Sequence, residues 1–130
     1  MNLKSLIVSG ALGLMSALVN PAAAHHSFAA HYIPEKRMTV TGTVTKFDYR
    51  SPHSLVFIDV TGADGAKQSW MLEFGSALTL SRLGWNAKTL MVGDLIEAVG
   101  MPSRTGAARM NVMELRRAAD GFEYKAKPNP

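Results

Sequence analysis

From Met38 onward the chain has the polar and apolar pattern of a β-strand. Every second residue up to Thr45 is threonine, and small or branched apolar residues such as Val40 and Val44 stand between them. A period of two, rich in β-branched residues, predicts an extended strand. Residues 25–37 come before it and mix polar and apolar positions without a clear period, so they are predicted to form an irregular lead-in.

A hairpin is predicted next. Residues 53–61 and 67–74 are both rich in apolar and β-branched residues, and the second run places Trp70 and Leu72 on the same face. The two runs are separated by Asp64-Gly65, and an Asp-Gly pair readily takes the positive-φ conformations of tight turns. The pattern therefore predicts two antiparallel strands.

After this hairpin the period becomes that of a helix. Ser76 is a good N-cap, residues 77–83 carry apolar residues at helical spacing, and Gly84 is a natural C-terminal stop. Alternation then returns, and it predicts two more strands at residues 95–101 and 109–117.

Three strands, one short helix and two strands follow one another in the order of an OB-fold, which is a five-stranded Greek-key barrel. A small open β-sandwich is the alternative, because element order alone does not separate the two architectures. We therefore predict an all-β, OB-like barrel domain over residues 38–124. Asp120-Gly121 is predicted to form a further hairpin turn, and residues 125–130 a mobile tail.

The first 24 residues have the features of a cleaved signal peptide. A lysine supplies the positive charge, residues 6–19 form an apolar stretch of 14 residues, and Ala22 and Ala24 occupy the small-residue positions of a cleavage site. This stretch is shorter than the roughly 20 apolar residues that a membrane-spanning helix needs. We therefore expect an exported, periplasmic protein that starts at His25 and has no transmembrane segment after cleavage.

The composition is that of a globular domain, with 47% hydrophobic and 18% charged residues. Removal of residues 1–24 leaves 106 residues with a formal net charge of +3, a bias too small to indicate a nucleic-acid partner. The sequence contains no cysteine, which excludes disulfides, thiolate metal sites and cysteine nucleophiles.

All four histidines lie in the first 53 residues, and three of them are close to the expected mature terminus. In a chain that starts at His25, the α-amino group and the imidazole of this one residue can chelate a metal ion as a histidine brace. The amine loses its proton at little cost, because its pKa is about 8. His26 and His53 are the best further ligands, and His31 is an additional candidate. Nitrogen donors of this kind favour copper(II), so the sequence predicts a copper site for metal binding or delivery.

Two other interpretations stay open. Cleavage one residue earlier would leave Ala24-His25-His26, whose amine, backbone nitrogens and third-position imidazole also suit copper(II). Alternatively, the barrel is a metal-free module that binds a small anionic ligand or a periplasmic partner protein through Arg109 or Arg116. The serines and carboxylates fall in no recognised catalytic motif, so no catalytic residue is predicted.

Several short motifs resemble a family of small, functionally uncharacterised bacterial periplasmic proteins, a domain of unknown function whose mature chains start His-His-Ser-Phe. The matching elements cover nearly all of residues 25–117. They are His25-His26-Ser27-Phe28-Ala29-Ala30, Tyr32, Thr41-Gly42-Thr43-Val44, Pro52-His53, Asp64-Gly65, Trp70, Leu83-Gly84-Trp85 and Gly93-Asp94. The chain departs from the family at Ser51, where the family has asparagine, and at His31, where it has an acidic residue. The resemblance implies export and a small β-barrel, and it brings no established activity.

Overall fold

The computed structural model describes residues 28–127, in which six β-strands and one short helix follow one another. In chain order these elements are β1 (Met38–Asp48), β2 (Leu55–Thr61), β3 (Lys67–Glu73), α1 (Ala77–Ser81), β4 (Leu95–Pro102), β5 (Arg109–Arg117) and β6 (Phe122–Lys125). The helices found within this range are all too short or too polar to cross a membrane. The predicted signal peptide lies outside the described residues.

The first five strands close into a barrel. Strand β1 lies between β2 and β4, β2 pairs with β3, and β4 pairs with β5, all of them antiparallel. A short parallel pairing of β3 with β5, in which Leu72 is opposite Met110, closes the ring. This is the strand order of an OB-fold, so the predicted barrel is confirmed and the open β-sandwich is not the structure.

A sixth strand extends the barrel beyond the prediction. The turn at Asp120-Gly121 is confirmed, with Gly121 at a φ of 73°, and β6 returns from it antiparallel to β5. Lys125, which was predicted to begin the mobile tail, belongs to this strand. The strand forms because Phe122 and Tyr124 both pack edge-on against Trp85 and bury apolar area that a free tail would leave in water.

Helix α1 follows β3 and packs one residue into the barrel core. Its N-cap is Ser76, as predicted, and the Ser76 hydroxyl accepts a 3.0 Å hydrogen bond from the backbone N–H of Thr79. The helix ends at Ser81 rather than at residue 83, and the chain then turns at Gly84, which has a φ of 85°. Leu80 is fully buried, so this short helix contributes directly to the core.

The described part of the lead-in, residues 28–37, contains a helical turn and a β-bridge where a lack of period predicted an irregular segment. Residues 28–31 form a helical turn, and Tyr32 makes an isolated β-bridge with Ser103 at the end of β4. Tyr32 is only 2% exposed. The segment is held by side-chain burial and by contacts with the β4–β5 loop, neither of which produces a repeating pattern in the sequence.

Candidate functional site

The most notable group of polar side chains lies where β3 ends and β5 begins. It consists of Tyr32, His53, Glu73 and Arg109, and we call it the Glu73 cluster. Each member comes from a different part of the chain: the N-terminal segment, the β1–β2 loop, the last residue of β3 and the first residue of β5. Barrel closure brings them together, because the parallel β3–β5 pairing places the end of β3 beside the start of β5.

Glu73 is the centre of this cluster. The Tyr32 hydroxyl donates a 2.5 Å hydrogen bond to Oε2 of Glu73. Nη2 of Arg109 donates to the same oxygen at 3.3 Å and to the Tyr32 hydroxyl at 3.0 Å. The guanidinium also stacks over the Tyr32 ring, 5.3 Å from its centroid. The Glu73 side chain is 14% exposed, so these partners replace most of the water it would otherwise bind.

His53 lies beside the other oxygen of the same carboxylate. Its Nδ1 lies 3.4 Å from Oε1 of Glu73, while 58% of its side chain remains exposed. Ser54 beside it is fully buried, and its hydroxyl donates a 3.0 Å hydrogen bond to the carbonyl of Arg50. The loop is therefore anchored next to His53.

The pKa values of two members of the cluster, Tyr32 and Arg109, are raised. Burial, reinforced by the hydrogen bond to Glu73, raises the pKa of Tyr32 to about 12. The hydrogen bond to Tyr32 is the main cause that raises the pKa of Arg109 above its ordinary value. At neutral pH the cluster therefore combines a neutral phenol with a permanent cation. Within residues 28–127, Arg109 Nε is buried without a hydrogen-bond partner, so this guanidinium does not use all its donors on the protein.

The two arginines proposed for an anionic ligand are not brought together. Arg109 lies in the Glu73 cluster, at the start of β5. Arg116 lies near the other end of β5, with its side chain 64% exposed and 4.0 Å from Glu123. Its register partners are Glu97 in β4 and Glu123 in β6, so an acidic residue lies opposite it on each neighbouring strand.

Two of the four predicted metal ligands lie among the residues that the structure describes. His25 and His26 lie outside the described residues. His31 is exposed on the helical turn, and its backbone carbonyl accepts a 2.9 Å hydrogen bond from the N–H of Arg104. His53 belongs to the Glu73 cluster. Among residues 28–127, no three His, Cys, Asp or Glu side chains are grouped so as to hold a metal ion.

Sequence reasoning missed the importance of Glu73. Alternation along β3 turns Leu72 and Phe74 into the core and leaves Glu73 on the outside, so the pattern placed it on the surface with the other scattered carboxylates. Its partners Tyr32 and Arg109 are 41 and 36 residues away along the chain. The barrel register could have placed Arg109 beside Glu73, because it follows from the OB-fold strand order once the β3–β5 pairing is assumed. The register does not include Tyr32, which lies outside the strands.

A family described as of unknown function, DUF6152, matches residues 13–111 of the chain. The match covers well over half of the sequence and contains every residue of the Glu73 cluster. The chain belongs to the DUF6152 family. This confirms the resemblance to a family without established function, and membership of DUF6152 brings no activity, ligand or partner with it.

Two similar solved structures are crystal structures of Rim1, a mitochondrial single-stranded DNA binding protein from S. cerevisiae. The first is 12% identical, covers 64% of this chain and 93% of Rim1, and has a TM-score of 0.49. The second, from selenomethionine-labelled protein, is 12% identical, covers 71% and 97%, and has a TM-score of 0.47. A likeness this distant carries no information about what a DUF6152 protein binds. No curated protein matches the sequence.

Proposed function

We propose that this DUF6152 protein binds a transition-metal ion, with copper(II) as the favoured ion, at its mature N-terminus. The α-amine and imidazole of His25 would chelate the ion, and His26 and His53 would add imidazole nitrogens. Residues 1–24 would act as a cleaved signal peptide, so the protein would bind or deliver copper in the periplasm.

The main structural support for this proposal is that Tyr32 and His53 both contact the carboxylate of Glu73. One oxygen contacts the Tyr32 hydroxyl and the other lies beside Nδ1 of His53, so His53 adjoins the N-terminal segment. The Phe28 ring packs against Tyr32 with 5.4 Å between their centroids. His26 comes two residues before Phe28, and two residues span at most about 7 Å. The first histidines are therefore separated by only a few residues from a segment whose Tyr32 shares the carboxylate of Glu73 with His53.

The contact between His53 and Glu73 suits a metal-binding histidine. Metal-ligating imidazoles usually donate their second N–H to a carboxylate, which selects the tautomer and orients the ring. Here Nδ1 lies 3.4 Å from Oε1 of Glu73 and 58% of the side chain is exposed, so Nε2 is the ring nitrogen that would bind the ion. Nη2 of Arg109 lies 3.3 Å from Oε2 of Glu73, so a fixed positive charge stands beside the carboxylate.

The chemistry of the donors selects the metal. An α-amine and imidazoles are nitrogen ligands, and such ligands favour copper(II) in square-planar or tetragonal geometry. Because the sequence has no cysteine, thiolate ligation of copper(I) or zinc is not available.

The test is a copper(II) titration of protein that starts at His25, compared with the same protein extended by one methionine. The start of each chain is verified by intact mass, as is the start of protein exported from the full-length sequence. We expect one strong site in the native-start protein. The extension should weaken it by at least about tenfold, because it separates the amine from the imidazole of His25 and converts a chelate into a single donor.

Two histidine variants make a matched pair. His53→Ala should weaken copper binding, whereas His31→Ala should change it little, because His31 is exposed and its backbone carbonyl makes its hydrogen bond to the barrel. Affinity should also fall as the pH drops through the histidine range, since protons compete for the ligands. Equal copper affinity of the native-start and extended proteins would reject the brace. Wild-type copper affinity in His53→Ala would show that this barrel residue is not a ligand.

A further inference from the structure

Strand β6 has an edge that no other described strand covers. Among the strands of residues 28–127 it pairs with β5 alone. The backbone N–H of Ala126 donates to the carbonyl of Met113 at 2.7 Å, so these two residues form a hydrogen-bonded pair. In an antiparallel ladder such pairs alternate with non-bonded ones, so Glu123 and Lys125 direct their N–H and C=O groups away from β5. The free edge of β6 therefore offers two donors and two acceptors to a further strand.

The outer face beside this edge carries charges of alternating sign. Arg116 of β5 lies between Glu97 of β4 and Glu123 of β6, and 4.0 Å separates its Nε from Oε1 of Glu123. In the next row, Glu114 of β5 is opposite Lys125 of β6. All five residues are exposed. One row thus ends at the free edge in a carboxylate, and the other ends there in an ammonium group.

A second copy of β6 matches this edge in one antiparallel register. When Tyr124 lies opposite Tyr124 of the second copy, Glu123 of each copy lies opposite Lys125 of the other. Each of these two pairs exchanges two backbone hydrogen bonds, and its side chains share one face of the sheet. The neighbouring registers that keep the backbone bonds place Glu123 opposite Glu123 or Lys125 opposite Lys125. Like charges directly opposite one another destabilise a strand pair, so the first register is favoured.

The favoured register also continues the charge alternation from one copy into the other. Each Glu123 would lie between Arg116 of its own chain and Lys125 of the second copy. Each Lys125 would lie between Glu114 of its own chain and Glu123 of the second copy. Charged residues on an edge strand commonly prevent pairing between copies. Here the two charges have opposite signs and stand two positions apart, so they are compatible with one self-pairing.

The core-facing side of β6 is compatible with the same pairing. Phe122 and Ala126 pack against the barrel core and are only partly buried. The favoured register places Phe122 of one copy opposite Ala126 of the other. Contact between them would remove apolar surface from water at both ends of the interface, which favours association.

We propose that this protein forms a symmetric dimer through β6, in which the sheets of two barrels join into one continuous sheet. The dimer uses no residue of the Glu73 cluster, so it is independent of metal binding. Two four-residue strands make a small interface, and small interfaces are typical of weak or transient complexes. We therefore expect a dissociation constant on the order of 100 µM.

The first measurement is sedimentation equilibrium of the metal-free protein that starts at His25, from about 10 µM to about 1 mM. The average mass should rise from that of a monomer towards that of a dimer. Amide hydrogen exchange on the same samples shows which strand pairs. The amides of Glu123 and Lys125 should exchange more slowly as the concentration rises, because dimerisation gives them hydrogen-bond acceptors. A monomer at the highest concentration would overturn the dimer, and a dimer without this protection would overturn pairing through β6.

Two charge reversals test the register. Glu123→Lys sets lysines opposite one another at both ends of the interface, and Lys125→Glu sets glutamates opposite one another. Each variant alone should therefore dimerise at least about tenfold more weakly than wild type. An equimolar mixture of the two should form a heterodimer, because every opposite pair then joins a lysine to a glutamate. Lys67→Glu is the matched control, since it makes the same charge change on β3, which does not pair with β6.

The outcomes separate the dimer from the proposed metal site. Thermal unfolding of each variant verifies that the barrel remains folded. Wild-type dimerisation of either charge variant alone, or folded variants that form no heterodimer when mixed, would overturn the proposed register. A protein that dimerises through β6 but binds no copper would overturn the proposed function and leave the dimer in place.

Discussion

The Tyr32 hydroxyl donates a 2.5 Å hydrogen bond to the carboxylate of Glu73, across 41 residues of sequence. This bond joins the N-terminal segment to the end of β3, and it determines the position of the segment on the barrel. Because Tyr32 is 2% exposed, the phenol and carboxylate are removed from water as a pair, and each depends on the other for its hydrogen bonding.

Alkaline pH should destabilise the protein through Tyr32. The folded protein holds the phenol proton up to a pKa of about 12, whereas an unfolded tyrosine loses it near pH 10. The stabilisation is fully present below about pH 10 and is lost as the pH rises through about 12, with a total of about 2–3 kcal/mol. Urea unfolding at pH 9, 10 and 11 should therefore give a steeper loss of stability in wild type than in Tyr32→Phe. Burial also raises the pKa of Tyr124, but this contribution is common to both proteins. Parallel pH dependences would contradict the prediction.

Glu73→Gln should reduce copper affinity by about tenfold or more without unfolding the barrel. The amide oxygen of glutamine can still accept the hydrogen bond of Tyr32, but the variant no longer offers a second oxygen and a negative charge to His53. Copper titration and thermal unfolding would be measured on the same samples. Glu97→Gln makes the same change on β4, and it should leave the affinity unaltered. A Glu73→Gln protein with wild-type affinity would show that the carboxylate does not orient His53.

Arg117→Lys should lower the free energy of unfolding by about 1–3 kcal/mol. The guanidinium donates to the carbonyl of Thr89 at 2.8 Å, to Asp94 at 2.6 Å and to Asp120 at 2.8 and 3.0 Å, an arrangement that one ammonium does not reproduce. Its side chain is 15% exposed. The more exposed Arg116→Lys should cost about 0.5 kcal/mol or less, as measured by urea denaturation. Equal effects at the two positions would mean that the fork geometry of Arg117 contributes nothing.

Gly42→Ala should destabilise the barrel by about 2–3 kcal/mol. A Cβ atom at this position would lie 2.5 Å from the carbonyl oxygen of Asp59 and 3.1 Å from Cδ1 of Ile58, so the backbone of β2 would have to shift. At Gly75, in contrast, an added Cβ meets the side chain of Thr79 at an ordinary 3.6 Å. Gly75→Ala should accordingly stay within about 1 kcal/mol of wild type, and similar unfolding midpoints for the two variants would refute the packing argument.

The secondary structure of this chain could be predicted from local patterns. The threonine alternation that starts at Met38 marks β1, and Asp64-Gly65 marks the turn between β2 and β3, where Gly65 has a φ of 79°. The N-cap at Ser76 also depends only on its near neighbours. Such features are visible in a sequence because the residues that form them are adjacent or follow a regular period. The order of strands and helix along the chain then favoured the OB-fold barrel.

The Glu73 cluster was decided by the tertiary structure. The positions of Tyr32 and Arg109 beside Glu73 depend on which strand edges meet when the barrel closes, and on how the N-terminal segment packs against it. The sixth strand likewise depends on burial of Phe122 and Tyr124 against Trp85. The sequence by itself determined the histidine-rich start of the expected mature chain and the carboxylate on β3. Their proximity arises from long-range packing, which is stabilised by buried surface and paired charges. Such contacts join residues far apart in the sequence, so they produce no repeating pattern along the chain.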